Sequence, residues 1–407
     1  ANVPFGLVQV GPTSIPQTWD WCSGYHASDS TVIGFSHTHL SGTGIGDLFD
    51  VTVMPVTGEV TYARGEEADP ASGLWSYADR TQEIARPGYY SVPLTRYGIR
   101  AELTATARVG LHRYTFPASD AAAVVFDLEN GGCWDKATET HLAKEGDRTV
   151  TGWRHSTGWA KDQRVYFVAE FSKPFEKFET IGDNYARASF RTTDGEQVSL
   201  KVALSPVSVE GAKANLAAEL SGWDFDATAK AADKAWNDEL SKVKITTADE
   251  TARRIFYTAL YHTMIAPSLF CDVNGDYYGS DHAIHRNADF TNYTTFSLWD
   301  TYRAAMPLMT VLHPEKMADI VQTMLHIADE QGRLPVWHLW GNETDCMVGN
   351  PGIVAVADAI VKGIGGFDRE KAFEAIRKTA MNPDRGNGLR MEYGYIPCEM
   401  FNEAVAY

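Results

Sequence analysis

Ala227–Val243 reads ATAKAADKAWNDELSKV, and the fold turns on it. Alanine and lysine dominate, with a glutamate at 239, and all three enter a helix at little cost. Upstream the apolar residues recur every second position, as in strands. Downstream they recur every three to four, as in helices. The stretch therefore reads as a solvated linker helix joining a β half to an α half.

In the β half, short apolar or alternating runs fall at Phe5–Val10, Leu48–Pro55, Gly98–Ala107, Ala121–Leu128, Val165–Phe171, Ser189–Thr193 and Gln197–Ser205. Gly, Pro, Asp and Asn clusters separate them at strand-and-turn spacing. That pattern predicts an antiparallel β-sandwich over residues 1–225, the linker over 226–246 and a helical region over 247–407. Helices are expected at Ala252–Ala266, where Pro267 ends the run, and from Ser297 as N-cap. Further helices are expected at Glu315–Ala328, Val354–Ile364 and Glu370–Met381, and a last one begins near Pro397. Helix after helix with short loops predicts hairpins forming part of an (α/α) barrel.

Composition narrows the function. The chain has 407 residues, long for one core, so two or three domains are expected. A formal charge of -17 argues against a nucleic-acid surface. No apolar run approaches 18 residues, so no membrane-spanning segment is read. Five cysteines stand singly without a CxxC pair, which argues against a zinc site, and their odd number leaves at least one thiol unpaired within the chain. Neither end shows a signal peptide or a helix-closing residue, so more protein is expected beyond Tyr407.

Leu334–Pro351, LPVWHLWGNETDCMVGNP, fits neither period and is expected to be a loop. Trp337 and Trp340 flank His338, and Asn342, Glu343 and Asp345 follow. Flat rings beside amides and carboxylates suit a pyranose, whose C–H faces stack while its hydroxyls seek paired partners. A buried aromatic turn fits the same residues. Trp299, Asp300 and Arg303 fall in one helical turn, either as a surface ion pair or as a grip on sugar hydroxyls. Upstream, Trp19, Trp21 and Cys22 crowd a short aromatic stretch. His37 and His39 would share one strand face, either as a metal pair or in hydrogen bonding and packing. Asp272–Asp276 resembles the opening of a calcium loop, but Ile284 stands where a closing Glu is required, so it reads as a turn.

PFGLVQVGP, WDWCSGY, GFSHTHLSGTG, SLWDTYRAAMPL, LPVWHLWGNETDCMVGNP and GYIPCEMFNEAVAY, in that order from Pro4 to Tyr407, resemble glycoside hydrolase family 92. The resemblance implies a bacterial, secreted or periplasmic, exo-acting α-mannosidase that is calcium-dependent and inverting, with a β-sandwich followed by an (α/α)6 barrel. It implies a mannose-containing glycan as substrate, with Trp19, Trp21, Cys22, His37, His39, Trp299, Asp300, Arg303, Trp337, His338, Trp340, Asn342, Glu343, Asp345, Glu399, Asn402 and Glu403 in substrate binding. It assigns the general acid, the general base and the Ca2+ ligands to motifs expected beyond Tyr407, so the rest of the polypeptide is an expected partner. Alternatives are a mannose-1-phospho-6-mannose uncapping hydrolase of the same family, another sandwich-plus-barrel glycosidase or phosphorylase, and a sugar-binding protein without turnover.

Overall fold

The apolar runs upstream of residue 206 pair into two antiparallel sheets. A computed structural model describes residues 1–15, 22–40, 46–69 and 71–401. The chain divides into two compact units, Ala1–Tyr257 and Thr258–Tyr407. The first unit opens with β1 (Gly11–Thr13), β2 (Thr31–Val32), β3 (Gly34–Ser36), β4 (Thr52–Thr57), β5 (Ser76–Tyr77), β6 (Ile84–Arg86), β7 (Tyr89–Leu94) and β8 (Ile99–Ala105). It continues with β9 (Val109–Phe116), β10 (Ser119–Asp127), β11 (Lys136–Glu145), β12 (Thr149–Thr157), β13 (Gln163–Phe171), β14 (Lys177–Ile181), β15 (Tyr185–Thr192) and β16 (Glu196–Ser205).

Six strands form one sheet in the order β1-β3-β4-β10-β15-β14, and eight form the other in the order β11-β12-β13-β16-β9-β8-β7-β6. Rings from both sheets meet between them. Phe126 stacks on Phe167 at 6.2 Å, and Phe116 meets Phe190 edge-on at 5.4 Å. This is the expected sandwich, its core built by alternating inward residues. Phe5–Val10 is not a strand, and pairing starts only at Gly11.

Helices cover the outer face of the larger sheet. They are α1 (Val209–Glu219) and α2 (Phe225–Leu240), with side-chain caps from Ser208 and Asp224. Val109, Leu111, Val168 and Ala203 of the sheet pack against Ala212, Leu220, Phe225 and Ala229. Trp236 is buried and donates its indole N–H to the Asn2 carbonyl at 2.8 Å. So α2 forms where the alanine-rich stretch predicts a helix, but one of its faces is bound to the sandwich. The Glu219 carboxylate pins the end of α1, accepting from Arg108 Nη1 at 2.7 Å and from Thr106 Oγ1 at 2.6 Å.

α3 (Glu250–His262) runs across the division between the units. The second unit contains β17 (Ser268–Leu269), β18 (Tyr277–Tyr278), β19 (Ile284–His285), β20 (Tyr293–Thr294), β21 (Phe296–Ser297), β22 (Trp337–Leu339) and β23 (Asn342–Glu343). Its helices are α4 (Leu298–Thr301), α5 (Ala305–Leu312), α6 (Pro314–Gln331), α7 (Pro351–Val361), α8 (Arg369–Met381) and α9 (Asn387–Tyr393). The α5–α6 and α7–α8 pairs are helical hairpins that pack on one another. Among the described residues these helices do not close into a ring. Residues near Pro397, expected to start a helix, form a turn, and those from 402 onward lie outside the described residues.

Candidate active site

In the second unit, the two stretches singled out from sequence are hydrogen-bonded neighbours. β21 pairs with β22, placing Phe296 opposite His338 and Ser297 opposite Trp337, and β22 pairs with β23. β21 runs directly into α4, so the first turn carrying Trp299 and Asp300 stands beside the Trp337–Glu343 hairpin. Leu334–Pro351 is thus not a plain loop. Its strands are two and three residues long, too short to show a period.

The hairpin turns at Trp340 (φ 49°) and Gly341 (φ 75°). Two successive left-handed residues are what a tight two-residue hairpin requires. A tryptophan adopts that conformation at a cost, which packing offsets here. Its ring meets Phe270 at 5.1 Å, and its N–H donates to Thr294 Oγ1 at 2.7 Å. Trp337, His338, Trp340 and Asn342 are all buried. Both indole rings are packed within this unit. His338 Nε2 lies 2.9 Å from Ser280 Oγ, its Nδ1 is buried without a partner among the described residues, and burial holds its pKa down at about 3.

Glu343 and Asp345 are also committed locally. Glu343 accepts the backbone N–H of Val336 and of Trp337, each at 2.8 Å, and that of Asp345 at 3.0 Å. Asp345 pairs with Arg333 and, at 3.2 Å, with Arg385. Asp300 differs. Its carboxylate is exposed and accepts from the Ser297 hydroxyl. Ser297 consequently does not cap the helix N–H groups as expected. Arg303 lies over the rings of Trp299 (5.8 Å) and Tyr302 (5.0 Å) rather than pairing with Asp300. Trp299 and Tyr302 line an open cavity of ≈ 350 Å³ with Asn350, Asn387 and Arg390. Half-buried rings and polar side chains line this cavity, and the exposed Asp300 carboxylate follows Trp299 in the chain; such groups can stack a sugar ring and pair its hydroxyls. Glu399 is exposed and accepts from the Cys398 thiol at 3.5 Å.

In the first unit, His37 and His39 do not share a strand face, because β3 ends at Ser36. His37 Nε2 lies 2.9 Å from His112 Nε2, and its Nδ1 faces the Val51 carbonyl at 2.6 Å. His39 Nδ1 faces the Gln9 carbonyl at 2.7 Å. Burial holds His37 at about 3 and His39 at about 4, so both rings are neutral. Cys22 is buried and forms no disulfide. Trp19, Trp21, Asn402 and Glu403 lie outside the described residues.

Sequence reasoning passed over Tyr277, Asp281, His285 and Glu330, which form a titratable cluster. Asp281 and His285 sit four apart on a hairpin, and nothing in sequence ties Glu330 to them. Calcium takes six to eight oxygen ligands. Among the described residues, this cluster is the one group of three or more metal-competent side chains, and it offers one imidazole and two carboxylates. It does not fit calcium. At the Asp272–Asp276 turn, Asp276 is already satisfied by Arg286 and by the Asn287 N–H at 2.8 Å.

Known proteins agree with the two-part fold. The family model for the glycosyl hydrolase family 92 N-terminal domain matches residues 1–205, and that for its catalytic domain matches residues 211–407. The α-mannosidase BT3965 of Bacteroides thetaiotaomicron is 37% identical over 100% of this chain and 58% of its own, with a TM-score of 0.95. The inverting mannosidase BT2199 of Bacteroides thetaiotaomicron VPI-5482 is 28% identical over 97% of this chain and 55% of its own, with a TM-score of 0.85. An uncharacterized secreted glycosidase of Arthroderma benhamiae is 25% identical over 99% of this chain and 53% of its length. The chain thus spans little more than half of each relative. Both halves match in order along the whole chain, and it belongs to glycosyl hydrolase family 92.

Proposed function

We propose that the protein to which this chain belongs removes terminal α-linked mannose from glycans by hydrolysis with inversion. The observation that carries this is the similarity to BT3965, an α-mannosidase, over the full chain. BT3965 has also been seen with mannoimidazole, and BT2199 is an inverting mannosidase.

Inversion needs a carboxylic acid to protonate the glycosidic oxygen and a carboxylate to activate water on the opposite face, about 6.5–9.5 Å apart. We assign neither role within residues 1–407, and we place the calcium ligands outside them as well. When bound, calcium would polarise sugar hydroxyls as a hard Lewis acid. This chain's part is to hold the sugar. Asp300 accepts from ring hydroxyls, while Trp299 and Tyr302 present faces to the C–H surface. Trp337, Glu343 and Asp345 keep the neighbouring hairpin rigid. Cys22, His37, His39 and Glu399 remain in the proposed binding set on resemblance alone, as do Trp19, Trp21, Asn402 and Glu403. Export to the periplasm or medium accords with the secreted Arthroderma relative, and no described helix is long and apolar enough to cross a membrane.

The test is an NMR time course on an α-mannobioside with the full-length protein. β-Mannose should appear first, and a calcium chelator should stop its release. Initial release of α-mannose would overturn inversion, and no release from any α-mannoside would overturn the activity.

A further inference from the structure

We propose that Asp281, His285 and Glu330 form a binding site for a divalent cation of the zinc class. It uses none of the residues proposed above to hold the sugar, and it does not rest on the proposed mannosidase activity.

Charge is the first reason. Two carboxylates face one imidazole, and the Glu330 side chain is only 5% exposed. Among the described residues, neither Glu330 nor Asp281 forms an ion pair with a Lys or Arg. Buried carboxylates are ordinarily paired or bound to a metal.

Spacing is the second. His285 Nε2 lies 3.1 Å from Asp281 Oδ1 and 3.4 Å from Glu330 Oε1. The three donor atoms all fall within 4.8 Å of one another. Tetrahedral bonds of about 2.0–2.1 Å set ligands roughly 3.3 Å apart, which these nitrogen–oxygen distances bracket.

Close packing is the third. A Cβ at Gly279 would sit 2.7 Å from both Asp281 Oδ1 and His285 Nε2, closer than a side chain can come, so the two donors converge against a residue that has none. Gly279 has no left-handed backbone to explain it.

Outer contacts hold the donors in place, as metal ligands require. Tyr277 Oη donates to Glu330 Oε1 at 2.9 Å, and the Ser280 N–H donates to Oε2 at 2.7 Å. The Ala283 N–H donates to Asp281 Oδ1 at 3.0 Å, and the Tyr277 ring stacks on His285 at 4.8 Å and 8°. The imidazole nitrogen selects a zinc-type ion over calcium. Because Asp281 is exposed, a water completes the fourth position. The ion would fasten the β18–β19 hairpin to the end of α6.

The test is titration of chelator-stripped, thiol-alkylated protein with Zn2+ by calorimetry, and with Co2+ by visible absorption. With the calcium site kept saturated by Ca2+, one further equivalent of Zn2+ should bind, Co2+ should show tetrahedral bands, and excess Ca2+ should displace neither ion. His285→Gln and Glu330→Gln should each weaken binding about 100-fold or more. Asp281→Asn, at an exposed position, tests the site without endangering the fold and should weaken binding at least tenfold. No stoichiometric Zn2+ binding, or binding unchanged in Asp281→Asn, would overturn the proposal.

Discussion

The backbone N–H of Trp337 donates to Glu343 Oε1 at 2.8 Å, so a carboxylate suited to sugar hydroxyls instead holds its own hairpin. Val336 and Asp345 donate to the same group. In Glu343→Gln an amide nitrogen would face one of these donors and leave it unpaired. We expect a stability loss of about 1–3 kcal/mol, read by urea unfolding. An unchanged midpoint together with a raised KM would return Glu343 to the substrate.

Asp300 carries the opposite expectation, because its carboxylate is exposed and held by one hydroxyl. In the full-length enzyme, Asp300→Ala should lower kcat/KM about 100-fold, the loss of one or two charge-assisted bonds. Its thermal midpoint should barely move. Kinetics equal to the parent's would make Asp300 a surface residue.

Asp47 sets a pH dependence of stability. Burial, then the nearby Asp135, raise it from 3.8 to about 7, and its Oδ1 is buried without a partner among the described residues. Between those values the folded chain keeps a proton that the unfolded chain has released. Stability from this group is full below pH 3.8 and is lost as pH rises toward 7. Asp47→Asn should therefore raise the midpoint at pH 8 and do little at pH 4. A midpoint lowered at pH 8 would show that the ionised form is the one the fold needs.

The first unit's histidines act in the other direction. His37, His39 and His112 are buried and neutral, the first two at about 3 and 4. Below pH 6.5 the unfolded chain takes up protons that the folded chain refuses. Stability should fall as pH drops, by up to about 4 kcal/mol per pH unit for three protons, with Asp47 offsetting one. Proton uptake on unfolding at pH 5.5, measured by calorimetry in two buffers, should be clearly positive, since the neutral His338 adds to these three while Asp47 offsets one. Zero uptake would mean that these rings are charged in the fold.

Much of the fold was legible because burial imposes a period. β10 and β13 show the apolar runs of core strands, and α6 shows its stripe. β11 showed none, because it lies at the sheet edge with most of its residues exposed. α1 escaped notice because it buries only Ala212 and Asn215, too little to mark a face. Phe5–Val10 misled for the reverse reason: its residues are apolar and mostly buried, yet they form no ladder. The proximity of the Trp299 and Trp337 stretches was not legible, since it depends on the pairing of β21 with β22 across some forty residues. The same limit hid Glu330 from His285.

The left-handed tryptophan at position 340 bears on the order of folding. An Asn-Gly turn closes a hairpin by local preference, whereas Trp-Gly opposes closure by about 1–2 kcal/mol at the first position. What offsets that cost comes from far along the chain: the Thr294 hydroxyl, 46 residues back, and the Phe270 ring. The hairpin cannot nucleate by itself. It must close after the β17–β20 ladder is in place, and once closed its buried rings hold it shut.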